Sequence, residues 1–389
     1  MKKEKIDSLL LNCVYTLEDK KIKCVVWVKE FEYAKEKLEM LFDKDNILGE
    51  YPFLNAFGLK IKQSELSYLS EFGWISYISS VQKSSILLDK ARKVIEVEEL
   101  FKQGVYGQNV TVAIIDTGCY AHLDFMFGKN RIKYFEDFIN KKKIVYDDNG
   151  HGTFVAGVLG GNGISNLKQY CGIAPACNLV VLKALDKNGE TQVFTILDAM
   201  QWISENKEKY NIKIVCMSFG STPLDENDPL IKGAETLWDN NIVVVSASGN
   251  DGPSEGTVKS PGASAKIITV GSADTTNDNF DISVAPFSSR GPSFSFIKPD
   301  LIAPGVDLTS TSNDIALYTH MSGTSVSTPI VAGVCALLLC KFPFLTPNQI
   351  KTVLMRSAIK IFAEPNACGS GLINAFNAFE YINHKNNLI

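Results

Sequence analysis

Three residues of types that can carry out acyl transfer stand at the ends of apolar segments: Asp116, His151 and Ser325. Asp116 follows the run VTVAII and precedes Thr-Gly, which puts its carboxylate at the carboxyl end of a strand, where parallel sheets place ligands. His151 lies in Asp-Asp-Asn-Gly-His-Gly-Thr, ahead of FVAGVL, so a glycine-framed imidazole stands at a helix start that backbone can approach closely. Ser325 lies in Met-Ser-Gly-Thr-Ser-Val-Ser-Thr-Pro, ahead of PIVAGVCALLL, with Pro329 expected in the first helical turn. Its hydroxyl then sits at the positive end of a buried helix, where an amide can meet a developing oxyanion. Each residue has an ordinary reading by itself: a carboxylate on turn amides, a packed imidazole, a helix cap. Together they supply what a serine nucleophile needs, a base for its proton and a carboxylate to fix that base's tautomer.

The elements that must position these residues follow a change of pattern along the chain. Residues 23–29 (KCVVWVK) read as a strand and 32–42 carry apolar residues at helical spacing. Residues 47–61 contain a Gly-Glu-Tyr-Pro interruption and then alternate at Phe57, Leu59 and Ile61. A helix from Ser64 to Phe72, with Ser64-x-x-Ser67 as a weak cap, leads to a last strand at 74–81. The order β-α-β-β-α-β belongs to the ferredoxin-like class. Residues 83–103 read as a charged connector with a short helix at 94–101. Beyond it, short apolar runs at 110–115, 179–182, 212–217 and 242–246 alternate with helical patterns at 154–159, 193–206 and 229–240. Such alternation predicts a doubly wound α/β domain with buried parallel strands.

The chain order Asp, His, Ser is that of subtilisin, and the surrounding segments carry the likeness further. VTVAIIDTG around Asp116, DDNGHGTFVAG around His151, SASGND around Asn250, FSSRGP at 287–292, KPDLIAPG at 298–305 and MSGTSVSTPIVAG around Ser325 all resemble the subtilisin-like serine proteases, the subtilases. GSGLINAFNAF at 369–379 resembles the strand and helix that close their catalytic domain, so the resemblance spans about 104–380. GNGISNLKQYCGIAP and LKALDKNGE are most similar to intracellular subtilases of the AprX type. Gly-x-Ser-x-Gly, the signature of an α/β-hydrolase esterase, is absent.

The resemblance implies an α/β fold, a subtilisin-like doubly wound, mostly parallel sheet at 91–389, with no appended C-terminal domain. A small α+β ferredoxin-like domain at 1–90 precedes it, similar to a subtilase propeptide, an inhibitor and chaperone whose tail lies in the active cleft until it is cut within 79–93. Ser325 is then the nucleophile, His151 the general base and acid, and Asp116 its orienter. Asn250 gives its side-chain amide to the oxyanion beside the Ser325 N–H. An extended peptide substrate pairs with Ser218, Phe219 and Gly220 and with the segment around Gly189. The expected partners are polypeptide substrates and the chain's own propeptide; the oligomeric state is not specified.

The sequence departs from the family pattern in three places. Ile330 replaces a second histidine often found after the nucleophile's Thr-Pro, with no consequence for catalysis expected. Lys259 falls at the floor of the primary specificity pocket, where many members carry a small residue. An acidic side chain before the scissile bond would be attracted to it unless Asp251, beside Asn250, neutralises it. The third departure is GGNGISNLKQYCG, which follows the histidine helix where secreted relatives hold calcium. Its lysine and lack of carboxylates make a poor hard-cation cage, so calcium is not inferred, although Asp124 resembles a family ligand position. His122-x-Asp124 reads as structural, not as a metal pair. No cofactor is required for the chemistry.

Composition agrees with these expectations. The 389 residues have a net charge of −4, which favours no polyanion, so nucleic acid is excluded as a partner. Nine cysteines without a Cys-x-x-Cys pair read as reduced thiols, Cys119 near Asp116 among them as a small packed hydrophobe. The first residues lack a signal-peptide core and the apolar stretch 331–340 is too short to span a bilayer. A cytoplasmic protein without membrane attachment is expected, with export by a route lacking a signal left open.

Overall fold

Alternation of inward apolar and outward polar residues builds the first strand, β1 (Lys21–Val28), where Cys24, Val26 and Val28 are buried and their neighbours are not. In this computed structural model residues 2, 5–6, 10, 21–80, 87–276, 282–314 and 317–386 are described. The chain divides into two compact units, Met1–Ser85 and Ile86–Ile389. In the first unit β1 is followed by α1 (Phe31–Leu41), β2 (Ile47–Tyr51), β3 (Ala56–Lys62), α2 (Gln63–Glu71) and β4 (Ile75–Ser80). The antiparallel sheet has the order β2-β3-β1-β4. This is the β-α-β-β-α-β sequence of elements read above. The helices bury Ala34 and Leu38, and Leu66 and Leu69, in the same core as the inner face of β1. α2 starts at Gln63, one residue before Ser64, and the Glu65 carboxylate accepts the Lys62 N–H at 2.7 Å.

The second unit opens with α3 (Leu87–Val94) and α4 (Val97–Lys102), two helices where one at 94–101 was expected. Glu96 adopts φ 58° and breaks them apart, while Ala91 and Ile95 enter the large core. The division between the units accordingly falls a few residues before the 90/91 boundary. Then follow β5 (Thr111–Asp116), α5 (Leu123–Met126), β6 (Ile132–Asp137), α6 (His151–Gly160), β7 (Asn178–Lys183), α7 (Val193–Tyr210), β8 (Ile212–Met217), α8 (Pro229–Asp239), β9 (Val243–Ala247) and β10 (Ile268–Asp274). The chain ends with β11 (Ser283–Val284), β12 (Leu301–Pro304), the hairpin β13 (Leu308–Thr311) and β14 (Tyr318–Met321), α9 (Thr324–Lys341), α10 (Pro347–Ser357), α11 (Pro365–Cys368) and α12 (Ala375–Asn386).

The large sheet runs β6-β7-β5-β8-β9-β10, parallel throughout, with β12 parallel and β11 antiparallel on β10. Every residue of β5 and β9 is buried, as expected for strands covered on both faces. β5 is flanked by β7 and β8, so the winding leaves it in opposite directions, and its carboxyl end lies at the topological switch point. That end is Asp116.

α9 is buried nearly all round, which suits a central helix. Among the described residues it is the helix long and apolar enough to cross a membrane, and it lies inside the core. Leu337 and Leu338, near its far end, are fully buried, each contributing about 1.5–3 kcal/mol relative to an exposed position, which holds the helix in the core. The helix begins at Thr324, so Pro329 stands in the second turn and not the first. Lacking an N–H, it leaves the Ser325 carbonyl without its usual helical donor.

Candidate active site

Asp116 is nearly fully buried at the end of β5, and its Oδ1 accepts the Thr117 N–H at 2.7 Å. His151, the first residue of α6, places Nδ1 2.8 and 3.0 Å from the two Asp116 carboxylate oxygens. With Nδ1–H committed to the carboxylate, Nε2 is left as the acceptor, the tautomer a general base needs. Burial disfavours the imidazolium, but the charge and hydrogen bond of Asp116, with Asp147 behind, outweigh it and raise the His151 pKa above the ordinary value of 6.5.

The start of α6 is set by Asp147. Its buried carboxylate accepts from Thr117 Oγ1, Asn149 N, Gly150 N, Thr153 N and Thr153 Oγ1, at 2.6–3.1 Å. Burial opposes its ionisation, yet these five donors hold the carboxyl below the usual range. Gly152 faces the Gly118 carbonyl at a distance that leaves no space for a Cβ, so the glycine after His151 is required by close approach. The sequence pattern around His151 pointed to such an approach but not to Asp147 as its organiser.

α9 packs against α6. Ser325 is half-buried in the first turn of α9. Among the described residues no hydrogen bond joins its Oγ to His151, whose ring hydrogen bonds run through Nδ1 to Asp116. A Cβ placed on Gly323 would lie 3.1 Å from Ser325 Oγ, 3.7 Å from Ser325 N and 3.4 Å from Asn250 Nδ2. The missing side chain therefore leaves one small space faced by the hydroxyl and by two N–H donors. Asn250 Oδ1 accepts from Thr324 N at 2.9 Å and Thr324 Oγ1 at 3.0 Å, which orients the amide with Nδ2 toward that space. Thr324 Oγ1 in turn accepts from Gly249 N at 3.2 Å.

Ser218, Phe219 and Gly220 continue β8 beyond its last paired residue, Met217, passing from buried to exposed. Gly189 lies in a turn closed by Asp186, with Asn149 Nδ2 donating to the Lys187 carbonyl of the same turn at 3.0 Å. Lys259 stands against Gly220 and Gly249, where its own Cβ and Cγ fill the space a Cβ on either glycine would take. Its ammonium pairs with Asp251 Oδ2 at 2.5 Å and donates to Thr222 Oγ1 at 3.1 Å. Of the two alternatives for Lys259, the geometry is that of neutralisation by Asp251.

Asp124 has both carboxylate oxygens occupied: Oδ1 accepts Ser165 N at 3.0 Å and Oδ2 accepts Tyr318 Oη at 2.8 Å. The guanidinium of Arg131 donates to the main-chain oxygens of Asp124, Gly160 and Cys177. Asp124, its carboxylate and main-chain oxygens all met by protein donors, does not fit the part of a calcium ligand. His122 Nδ1 accepts the Asp124 N–H at 3.1 Å within the short turn leading to α5, a structural role. No group of three or more His, Cys, Asp or Glu suited to a metal occurs among the described residues. The described cysteines are free, and Cys119 is buried with its thiol pushed up by burial. The cut expected within 79–93 falls in part on 81–86, outside the described residues.

Comparison with known proteins agrees with the resemblance. The profile of the subtilase family matches residues 107–371. The chain is 37% identical over 375 residues to the serine protease AprX of Bacillus subtilis (strain 168), covering 90% of this chain and 84% of that protein. It is 29% identical to a thermostable alkaline protease of Halalkalibacterium halodurans (strain ATCC BAA-125 / DSM 18197 / FERM 7344 / JCM 9153 / C-125), covering 93% and 92%. Among solved structures it is similar to sphericase (TM-score 0.62, 26% identity, covering 70% of this chain and 96% of that one) and to a cold adapted subtilisin-like serine proteinase (TM-score 0.57, 29% identity, covering 69% and 88%).

Proposed function

The chain belongs to the subtilase family and is a subtilisin-like serine protease acting on polypeptides; on that premise we propose that it is an endopeptidase working through an acyl-enzyme at Ser325. The Ser325 hydroxyl proton passes to His151 Nε2 while Oγ bonds to the scissile carbonyl carbon, and Asp116 stabilises the imidazolium. The carbonyl oxygen, now anionic, takes the donors Asn250 Nδ2 and Ser325 N–H. Collapse breaks the C–N bond, and His151 gives its proton to the leaving amine. A water then repeats the sequence on the ester, with His151 again the base. The observation that carries this reading is the pairing of His151 Nδ1 with Asp116 at 2.8 Å, together with the space shared by Ser325 and Asn250.

Extended substrate is held along Ser218–Phe219–Gly220 and the Gly189 turn, which restricts cleavage to unfolded or exposed segments. With Asp251 on Lys259, the pocket does not select acidic side chains. Asp124 is served by Ser165 and Tyr318, so folding and activity are independent of calcium. The first unit acts as a propeptide removed by the enzyme's own Ser325, and the protein works in the cytoplasm. Intact-mass analysis of the wild type beside Ser325→Ala tests the zymogen reading. Loss of the front unit by a cut within 79–93 in the wild type alone supports it, and two chains that both stay whole, or are both cut, oppose it.

A further inference from the structure

Lys183, the last residue of β7, is buried to 0% exposure beside the site, and the mechanism above makes no use of it. Burying an ammonium costs several kcal/mol unless it is paired and fully hydrogen-bonded. Here each of its three donors has an oxygen: Thr117 O at 2.6 Å, Asp148 Oδ1 at 2.6 Å and Leu185 O at 3.0 Å. The Tyr146 ring lies 5.2 Å away.

The three oxygens come from segments that matter to the reacting pair. Lys183 is the register partner of Asp116 across β5 and β7. The Asp116 carbonyl is held by Ala184 N and Leu185 N at 3.0 and 3.2 Å. Thr117, whose carbonyl Lys183 grips, is the residue whose N–H orients the Asp116 carboxylate and whose hydroxyl joins Asp147 to the first turn of α6. Asp148 follows Asp147 in the loop that delivers His151. The ammonium thus ties the turn carrying Asp116 to the loop carrying His151, beside a backbone bridge between Gly118 and Asp147 and the hydrogen bond from Cys119 N–H to the Tyr146 carbonyl at 3.1 Å.

We propose that Lys183 is a positioning residue for the Asp116–His151 pair: its ammonium fixes the spacing between the Asp116–Thr117 turn and the 147–150 loop. The proposal rests on the roles given to Asp116 and His151 above. Displacement of a catalytic group by an ångström costs on the order of 10²-fold in rate, so the loss expected on releasing this tie is roughly 10- to 100-fold in kcat with KM little changed.

The test is Lys183→Met in the full chain, with kcat, KM and the pH dependence of kcat/KM measured on a small chromogenic peptide. The charged groups acting on His151 are Asp116 on β5 and Asp147 in the loop before α6. If Lys183 acts by position, the Asp116 contact loosens and the acid limb falls toward 6.5 together with kcat. If it acted only as a nearby positive charge, its loss would raise the limb. If it were only a core ion pair, stability alone would drop. An unchanged kcat, or a limb that rises or stays, overturns the proposal. Should Lys183→Met not fold, Asp148→Ala removes the loop end of the tie at a side chain 36% exposed. A several-fold lower kcat then supports the proposal, and a wild-type kcat overturns it. Retention of activity by His151→Ala would be a different failure, that of the assignment on which the proposal rests.

Discussion

Thr324 and Asn250 form a unit whose energetic signature can be worked out from three hydrogen bonds. Asn250→Ala deletes the Nδ2 donor facing the space beside Ser325, and loss of one such donor costs on the order of 10²–10³ in kcat. Thr324→Val keeps that donor but removes one of the two anchors on Asn250 Oδ1: Thr324 N at 2.9 Å stays, Thr324 Oγ1 at 3.0 Å goes. A single hydrogen bond of about 1–1.5 kcal/mol corresponds to roughly a 10-fold loss of kcat. The same change strips Gly249 N–H of its acceptor in a half-buried place, a stability cost of about 1 kcal/mol and a fall of a few degrees in Tm. Because Thr324 acts on the oxyanion through Asn250, the double variant should turn over no more slowly than Asn250→Ala alone, while keeping the added loss in Tm. Steady-state kinetics on a peptide anilide and thermal melts of the four proteins give the cycle. Multiplicative losses in kcat, or a Thr324→Val as slow as Asn250→Ala, would refute the positioning argument.

Three further outcomes follow from the same geometry. His151 must be neutral to take the serine proton, and its pKa in the folded chain is raised by Asp116, so the acid limb of kcat/KM lies above pH 6.5. The linked stability runs the opposite way, complete below 6.5 and lost as pH rises through the folded value; a limb at or below 6.5 contradicts the Asp116 contact. Asp251→Asn frees the Lys259 ammonium, and a peptide library should then show acceptance of Glu before the scissile bond rising roughly 3- to 10-fold, the scale of a partly exposed ion pair; an unaltered preference would place the ammonium outside the pocket. Melting curves in chelator and in millimolar calcium should overlay for the wild type, whereas Tyr318→Phe, which strands one Asp124 oxygen, lowers Tm in both; calcium-dependent melting of the wild type would count against this arrangement.

The residues to which the chemistry is assigned stand out in the sequence because each sits in a short segment whose local demands are strict. A carboxylate ends a buried strand, an imidazole is framed by glycines, and a serine opens an apolar helix. The sheet was legible for the same reason, since strands buried on both faces read as unbroken apolar runs. The supporting residues were not. Asp147 and Thr324 look like ordinary loop and cap residues until folding brings them to Thr117 and Asn250, and Tyr318 lies 194 positions from the Asp124 it serves. Lys183 left one trace, a charge closing the apolar run LVVL where a doubly covered strand should carry none. The helix α3 was hidden by its composition, LLDKARKV, in which charge masked the face that sends Ala91 into the core.

The central claim, an acyl-enzyme at Ser325 formed with His151 as base, is tested most directly by reaction with a fluorophosphonate followed by mapping of the labelled peptide. The account predicts a single adduct on Ser325 in the native protein, none in the heat-denatured chain, and labelling slowed severely in His151→Ala. An adduct on another residue, no adduct at all, or labelling of Ser325 at the wild-type rate in His151→Ala would contradict it.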